Sequence, residues 1–338
     1  MKRFLRPKPS PAASTNSVRR RVDIATDASF ASYADYQALY MNRDPRRLIP
    51  NTEIWRGPNL VMQVNALGCK GPDLVPGEPA IAFFGDSTTL CVANESWCKH
   101  VDVPGYQILN AGIEGIEMQT MADRYDELKG RAPIGCAVVC AGWHNLIYRR
   151  HTEKYWEKQL SRFHKLIYIR NTEKYWEKQL SRFLSDDHAT AYWTAPSPLT
   201  EEFRERGIVA LMNTAEGANI DDDYFNFLAD DDPDTTLIPL IDALERFNAF
   251  VVEFSVRNSA TLVDLAAFLR PARYEDATKD FFDACHMRPR AYARIGEFVG
   301  GVLRGVLPSA ESAPTTAAFE AVEAVPGEDL RQNIYPLW

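Results

Sequence analysis

Short runs of apolar residues recur along the middle of the chain, and a polar turn follows each of them. Because these runs are apolar at nearly every position, they are typical of strands that are buried on both faces of a parallel sheet. The pattern predicts five such strands, which lie in AIAFFGDS (strand 80–84), YQILNAGIEG, CAVVCAGWHN, ATAYWTAPSP (189–198) and ATLVDLAAFL.

Helical periods separate these predicted strands. Helices are predicted over about 117–128, over 238–258 and in the closing segment RAYARIGEFVGGVLRGVL. Alternating strands and helices predict an α/β domain in which helices cover both faces of the sheet. In such sheets the functional groups lie at the carboxyl ends of the strands. The segments GDS, NAGIEG, AGWHN and APSP all follow strand ends.

A duplication interrupts this pattern. LIYRRHTEKYWEKQLSRF (146–163) recurs almost unchanged as LIYIRNTEKYWEKQLSRF (166–183). One continuous helix would rotate the second copy by about 200° relative to the first. Such a helix has two opposed apolar faces and needs a second partner, either a neighbouring subunit or a cover over the site. The alternative is that LIYI (166–169) breaks the segment into two helices.

The chain is predicted to have one large domain with extensions. Residues 1–21 are rich in proline, serine and arginine and are expected to be disordered. The other expected parts are an N-terminal extension and lead-in loop, the α/β domain with the duplicated helical segment and an insertion, and a C-terminal linker and tail (22–75; 76–307 with 146–185 and 200–237; 308–338).

Charge and composition limit the partners. The net charge of −8 argues against a nucleic-acid partner. No apolar run is long enough to span a membrane, and the proline-interrupted N-terminus lacks the apolar core of a signal peptide. We therefore expect a cytoplasmic protein without a nucleic-acid partner, in which the duplicated segment offers a contact for a homo-oligomer.

Neither disulfides nor a metal site is predicted. The six cysteines have no paired C-x-x-C spacing, and reduced, mostly buried thiols fit a chain of this length better than disulfides do. The acidic residues of 221–232 lack the regular ligand spacing and the glycine of a calcium loop. No metal or cofactor is expected.

The segment FFGDSTTLC (83–91) has two interpretations. Ser87 is either a nucleophile at a strand end or a hydroxyl that caps the next helix. A nucleophilic serine needs a base, and His286 has the most informative setting because Asp283 precedes it by three residues, just before the last helix. An Asp-x-x-His pair can place the carboxylate against one ring nitrogen while the other faces a serine.

These motifs, in this order, resemble those of the SGNH (GDSL-type) esterase/lipase superfamily. The resemblance covers about 62–306: an N-x-x-G-x-x-G lead-in (Asn65, Gly68, Gly71), then GDS, NAGIEG, AGWHNL and D-x-x-H-x-x-P. It implies a flavodoxin-like three-layer α/β/α domain with a five-stranded parallel sheet. It also implies that Ser87 is the nucleophile, that His286 is the base and that Asp283 orients His286.

The same resemblance implies an oxyanion hole. It is formed by the amides of Ser87 and Gly115 and by a side chain of the third conserved block of the family, which corresponds to AGWHNL here. That block departs from the family pattern, since His144 stands where the family has asparagine and Asn145 where it has aspartate. Either side chain could donate a hydrogen bond.

Three functions follow from this reading. The first is hydrolysis of an ester or thioester, and the second is acyl transfer by the same three residues. The third is non-catalytic binding or assembly by a protein that kept the fold. The complete Ser, Asp and His set favours catalysis, and the altered third block favours the third function.

Overall fold

The computed structural model describes residues 19–25, 33–91, 95–142, 162–197, 233–271, 279–281 and 285–308. Its N-terminal part is built of short strands and one helix. The elements are β1 (Arg20–Ile24), α1 (Tyr33–Gln37), β2 (Met41–Arg43), β3 (Arg46–Leu48), β4 (Thr52–Arg56) and β5 (Asn59–Val64). Strands β2 and β3 pair as an antiparallel hairpin, and β4 lies between β1 and β5.

Strand β1 differs from the prediction for the N-terminus, which placed Arg20 and Arg21 in a disordered segment. Both arginines lie in β1, which pairs in parallel with β4 along its whole length. The neighbouring Arg19 forms ion pairs with Glu53 at 2.8 Å and with Asp73 at 2.7 Å. Backbone pairing and these carboxylates hold a segment whose composition alone suggested disorder.

Five parallel strands form the central sheet, as predicted. They are β6 (Ala80–Gly85), β7 (Gln107–Asn110), β8 (Ile134–Cys140), β9 (Ala189–Trp193) and β10 (Thr261–Val263). Their spatial order is β7-β6-β8-β9-β10, which is the flavodoxin-like order with its reversal of direction beside β6. Ligand sites in such sheets lie at that reversal, outside the carboxyl ends of the strands.

Helices cover both faces of the central sheet. The described helices that follow β6 are α2 (Ser87–Leu90), a 3-10 helix (Trp97–His100), α3 (Met118–Leu128), α4 (Arg162–Ser181), α5 (Pro233–Arg257), α6 (Leu265–Phe268) and α7 (Pro289–Arg304). In β6 the side chains of Ala82 and Phe84 pack with α3, α4 and α5, whereas Ile81 and Phe83 pack with the 3-10 helix, α6 and α7. The domain is therefore a three-layer α/β/α sandwich.

The second copy of the duplicated sequence belongs to the core. Helix α4 runs unbroken through residues 166–169, so LIYI does not divide it. Trp176, Leu180 and Phe183 are buried against the sheet and its helices. Most of the first copy, 146–161, lies outside the described residues, as do the acidic residues 221–232.

The cysteines are free thiols, and all six are buried, as predicted. Among the described helices, none combines the length and the apolar character that crossing a membrane requires.

Candidate active site

The turn between β6 and α2 settles which residue caps the helix. Asp86 is the N-cap residue, and its Oδ1 accepts hydrogen bonds from the amide of Thr88 at 3.0 Å and from its hydroxyl at 2.8 Å. Ser87 is the first residue of α2. Because Asp86 supplies the cap, the hydroxyl of Ser87 is left for another partner.

Gly85 allows α2 to begin directly above the end of β6. A Cβ atom at this position would lie 2.0 Å from Oγ1 of Thr89 and 3.0 Å from Cβ of Cys140. The close approach of strand and helix therefore requires glycine at residue 85, and it fixes Ser87 at the carboxyl end of the sheet.

The partner of Ser87 is His286. Oγ of Ser87 lies 2.8 Å from Nε2 of His286, although 199 residues separate the two in the sequence. Both residues are partly exposed, so a ligand can reach them. The distance is that of a hydrogen bond, and it is the contact that a serine nucleophile needs with its base.

The segment before α7 holds His286 in place. Phe281 and Met287 form a single antiparallel bridge. Arg288 adds two hydrogen bonds: its amide donates to the carbonyl of Asp280 at 2.6 Å, and its Nε donates to the carbonyl of Phe281 at 2.9 Å. Sγ of Cys285 lies 3.4 Å from Nδ1 of His286.

Asp283, the predicted orienting acid, lies outside the described residues, so its role stays a prediction.

The predicted amide donors belong to two chain segments that run side by side. After β7 the chain continues along β6, since the amide of Ala111 donates to the carbonyl of Phe83 at 2.9 Å and that of Ile113 to the carbonyl of Gly85 at 3.0 Å. Gly115 follows two residues later with a φ of 63°, a conformation that favours glycine. Within the described chain, neither the amide of Ser87 nor that of Gly115 has an acceptor.

Side chains of the N-terminal elements form hydrogen bonds with the turn at Glu114 and Gly115. Nη1 of Arg46 donates to the carbonyl of Gly115 at 2.6 Å, and the carboxylate of Glu114 accepts from Gln37 at 2.5 Å and from the hydroxyl of Tyr40 at 3.2 Å. The N-terminal elements therefore fix the backbone of this turn.

The third block is described only at its beginning. Strand β8 ends at Cys140, and Gly142 has a φ of 147°, where a Cβ atom would lie 2.7 Å from Cβ of Ala195. His144 and Asn145 lie outside the described residues, so the choice between them as oxyanion donor stays open. In the described ranges, no three His, Cys, Asp or Glu side chains come together as a metal site would require.

The sequence did not predict two buried side chains that bind the C-terminal end of α2. Lys70 and Asn110 are buried and donate hydrogen bonds to carbonyl groups at the end of α2. Asn110 lies in the segment NAGIEG, and Lys70 lies within the predicted lead-in, but neither position has a periodicity that marks its side chain as a support.

Comparison with known proteins gives distant structural matches. No known family profile matches the chain, and no curated protein matches it. Among solved structures, it is similar to a lipase/acylhydrolase from Enterococcus faecalis, with 13% identity, a TM-score of 0.42, and coverage of 69% of this chain and 100% of that one.

A GDSL-like lipase from Bacteroides thetaiotaomicron is 12% identical, with a TM-score of 0.41, and the match covers 69% of this chain and 92% of that one. An acetyl xylan esterase, AlAXEase, is also 12% identical with a TM-score of 0.41, and the match covers 66% of this chain and 99% of that one. At these values the likeness is distant.

Proposed function

We propose that this protein is a serine hydrolase of the SGNH type that cleaves an ester or thioester. The hydrogen bond of 2.8 Å between Oγ of Ser87 and Nε2 of His286 supports the proposal most strongly. It lies at the carboxyl end of a parallel sheet, beside the reversal of strand order where such folds bind ligands.

In the proposed mechanism, Ser87 attacks the carbonyl carbon of the substrate while Nε2 of His286 accepts the proton of the hydroxyl. His286 then donates this proton to the departing alcohol or thiol, which leaves an acyl group on Ser87. Water, deprotonated by the same nitrogen, attacks the acyl group, and Nε2 then returns the proton to Oγ of Ser87 as the acid is released. Nε2 must begin as an acceptor, so the ring proton lies on Nδ1, which faces Sγ of Cys285 and is the proposed partner of Asp283.

The negative oxygen of the tetrahedral intermediate is proposed to accept hydrogen bonds from the amides of Ser87 and Gly115. Their lack of acceptors in the described chain supports this role. A side chain of the third block, His144 or Asn145, is the proposed third donor. A donor of this kind is worth about 10²–10³ in rate.

A fluorophosphonate probe tests the proposal because it reacts only with an activated serine. We expect the probe to label the wild-type protein at Ser87, as located by mass spectrometry of the peptides, and to leave Ser87→Ala unlabelled. Ser185→Ala is the matched control, since Ser185 precedes β9 at the amino ends of the strands, whereas Ser87 lies at their carboxyl ends. A wild-type protein that stays unlabelled at Ser87 would contradict the proposal.

A further inference from the structure

Helix α2 is a single turn, yet each of its last carbonyl groups accepts a hydrogen bond from a buried side chain. The donors are Nε1 of Trp97 to Thr88 at 3.0 Å, Nδ2 of Asn110 to Thr89 at 2.8 Å, and Nζ of Lys70 to Leu90 at 2.9 Å and to Cys91 at 2.6 Å. The C-terminal carbonyl groups of a helix have no partners within the helix. Three separate segments of the chain supply partners here.

Lys70 differs from the other two donors because it is charged. Its exposed fraction is only 6%, and its third hydrogen bond goes to the carbonyl of Glu95 at 3.2 Å. The three protons of the ammonium group are thus matched by three backbone oxygens. No carboxylate pairs with it in the described part of the chain.

A buried cation without an ion-pair partner is costly, because the charge loses its hydration. Burial lowers the pKa of Lys70 to about 8, which still leaves the group largely protonated at neutral pH. An apolar side chain of similar length would avoid that cost but could not bind the carbonyl groups. The charge is also favourably placed, since a cation at the C-terminal end of a helix interacts well with its dipole.

The backbone of Lys70 is as firmly held as its side chain. Lys70 forms single antiparallel bridges with Val64 of β5 and with Asn110 of β7, and its amide donates to the carbonyl of Asn110 at 2.9 Å. The loop around it is organised by Asn65, whose Oδ1 accepts from the amides of Leu67 and Cys69, each at 3.0 Å. The ammonium group therefore extends to α2 from a fixed point between the N-terminal strands and the central sheet.

We propose that Lys70 is a positioning residue for Ser87: its ammonium group holds the C-terminal end of α2, so that the hydroxyl at the N-terminal end stays within hydrogen-bond distance of His286. With only one turn between them, a tilt at Leu90 and Cys91 is passed directly to Ser87. The inference rests on the proposed role of Ser87 as nucleophile.

Lys70→Met tests this role, because methionine keeps the length of the side chain and removes its donors. Arg124→Met is the matched control. Arg124 is a cation of similar burial, and its Nη2 binds the carbonyls of Leu67 and Gly68 in the same loop, whereas none of its hydrogen bonds in the described chain goes to α2. Both variants are expected to lose thermal stability, so activity is expressed per folded molecule.

For Lys70→Met we expect kcat and the rate of fluorophosphonate labelling to fall about 10–100-fold at nearly unchanged KM, since a displacement of about 1 Å can cost 10²-fold in rate. Arg124→Met should keep both rates within about twofold of the wild type, as expected for a residue outside the reacting geometry. Equal losses in the two variants would reduce Lys70 to a stabilising residue and overturn the inference.

Crystal structures of the same variants separate this inference from the proposed function. We expect Oγ of Ser87 to move beyond hydrogen-bond distance from Nε2 of His286 in Lys70→Met, and to stay within it in Arg124→Met. A retained hydrogen bond in Lys70→Met would overturn the inference even in an active enzyme. A lost hydrogen bond, in a protein whose wild type is not labelled, would support the inference while the proposed function fails.

Lys70→Gln serves if Lys70→Met does not fold, because glutamine keeps an amide donor on a shorter side chain. If both variants fold, the labelling rate of Lys70→Gln should lie between those of the wild type and of Lys70→Met. If only Lys70→Gln folds, its labelling rate should be well below that of the wild type. A wild-type rate in this variant would overturn the inference. If neither variant folds, Lys70 is a determinant of folding and not of position, and the inference is wrong.

Discussion

The indole ring of Trp176 meets the ring of Phe247 edge to face, with ring centroids 5.1 Å apart. Trp176 belongs to the second copy of the duplicated sequence, and Phe247 lies on α5. The contact joins the second copy to the neighbouring helix within the apolar core. The second of the two nearly identical segments thus packs in the core.

We expect Trp176→Ala to lower the free energy of unfolding by about 3–5 kcal/mol, as is typical when a buried tryptophan is truncated. Trp156→Ala, at the matching position of the first copy, is the control and should cost less. Urea denaturation followed by circular dichroism measures both values. Equal losses would mean that the two copies contribute equally to the core.

Deletion of residues 151–170 should leave a folded protein. LIYRR (146–150) would then take the place of LIYIR (166–170) in front of the second copy, so that the packed residues from Thr172 onward keep their sequence. We expect fluorophosphonate labelling at Ser87 to persist, with a change in oligomeric state measured by light scattering. An insoluble product would show that the first copy is needed for folding.

Ser87→Ala and His286→Ala should each lower kcat by at least about 10³-fold, and the double variant should be no worse than either one alone. Residues that act as one catalytic unit lose their effect together, so their free-energy contributions do not add. Steady-state kinetics on p-nitrophenyl esters of short chain length measures the three rates. Additive losses would argue against a shared step.

Gly85→Ala should impair both stability and activity, since the new methyl group would lie 2.0 Å from Oγ1 of Thr89. Overpacking of this kind costs about 1–3 kcal/mol and would push α2 away from the end of β6. Gly130→Ala is the control, because nothing lies within 4 Å of a Cβ atom there. Thermal unfolding and kcat are the readouts, and a normal kcat in Gly85→Ala would contradict the expected displacement of Ser87.

His188 should make the fold sensitive to acid. Its Nδ1 donates to the carbonyl of Ala189 at 2.9 Å, and its Nε2 accepts from the hydroxyl of Tyr125 at 2.8 Å, so the neutral ring fits both partners. Burial lowers the pKa of His188 below its ordinary value. The unfolded chain therefore binds a proton more readily, and stability is lost as the pH falls below about 6.5 toward the lowered pKa.

The midpoint temperature of unfolding, measured between pH 7.5 and pH 5, checks this expectation. His188→Gln should show a smaller drop over that range than the wild type does, despite a lower stability at pH 7.5. His100→Gln, at an exposed histidine, should follow the wild type. A drop of the same size in all three proteins would assign the acid sensitivity to other groups.

The central sheet and its long helices could be predicted because the local pattern of apolar residues indicates which positions are buried. In β6, consecutive residues such as Phe83 and Phe84 are buried on opposite faces, and a continuous apolar run is the direct signature of that environment. The contact between Ser87 and His286 followed from motif order. Its distance did not, because it depends on how α2 and α7 pack onto the sheet.

The N-terminal strands were missed because no alternation of apolar and polar residues marks β4, whose buried face carries Thr52 and Arg56 beside Ile54. Its residues from Thr52 to Arg56 alternate between buried and partly buried, and Gly57-Pro58 forms the turn to β5. The roles of Lys70 and Asn110 also had no local sequence signal. A side chain that satisfies the backbone of a distant helix leaves no periodic pattern, since its partner is set by the tertiary fold alone.

The order of the elements has a consequence for chains that are still being made. Ser87 opens the second helix, whereas His286 directly precedes the last described one. A nascent chain that ends after α5 would contain Ser87 but not His286, its proposed base. On the proposed mechanism, reactivity would begin only after His286 and α7 have been made, and a truncation before His286 would yield a chemically silent protein that still contains Ser87.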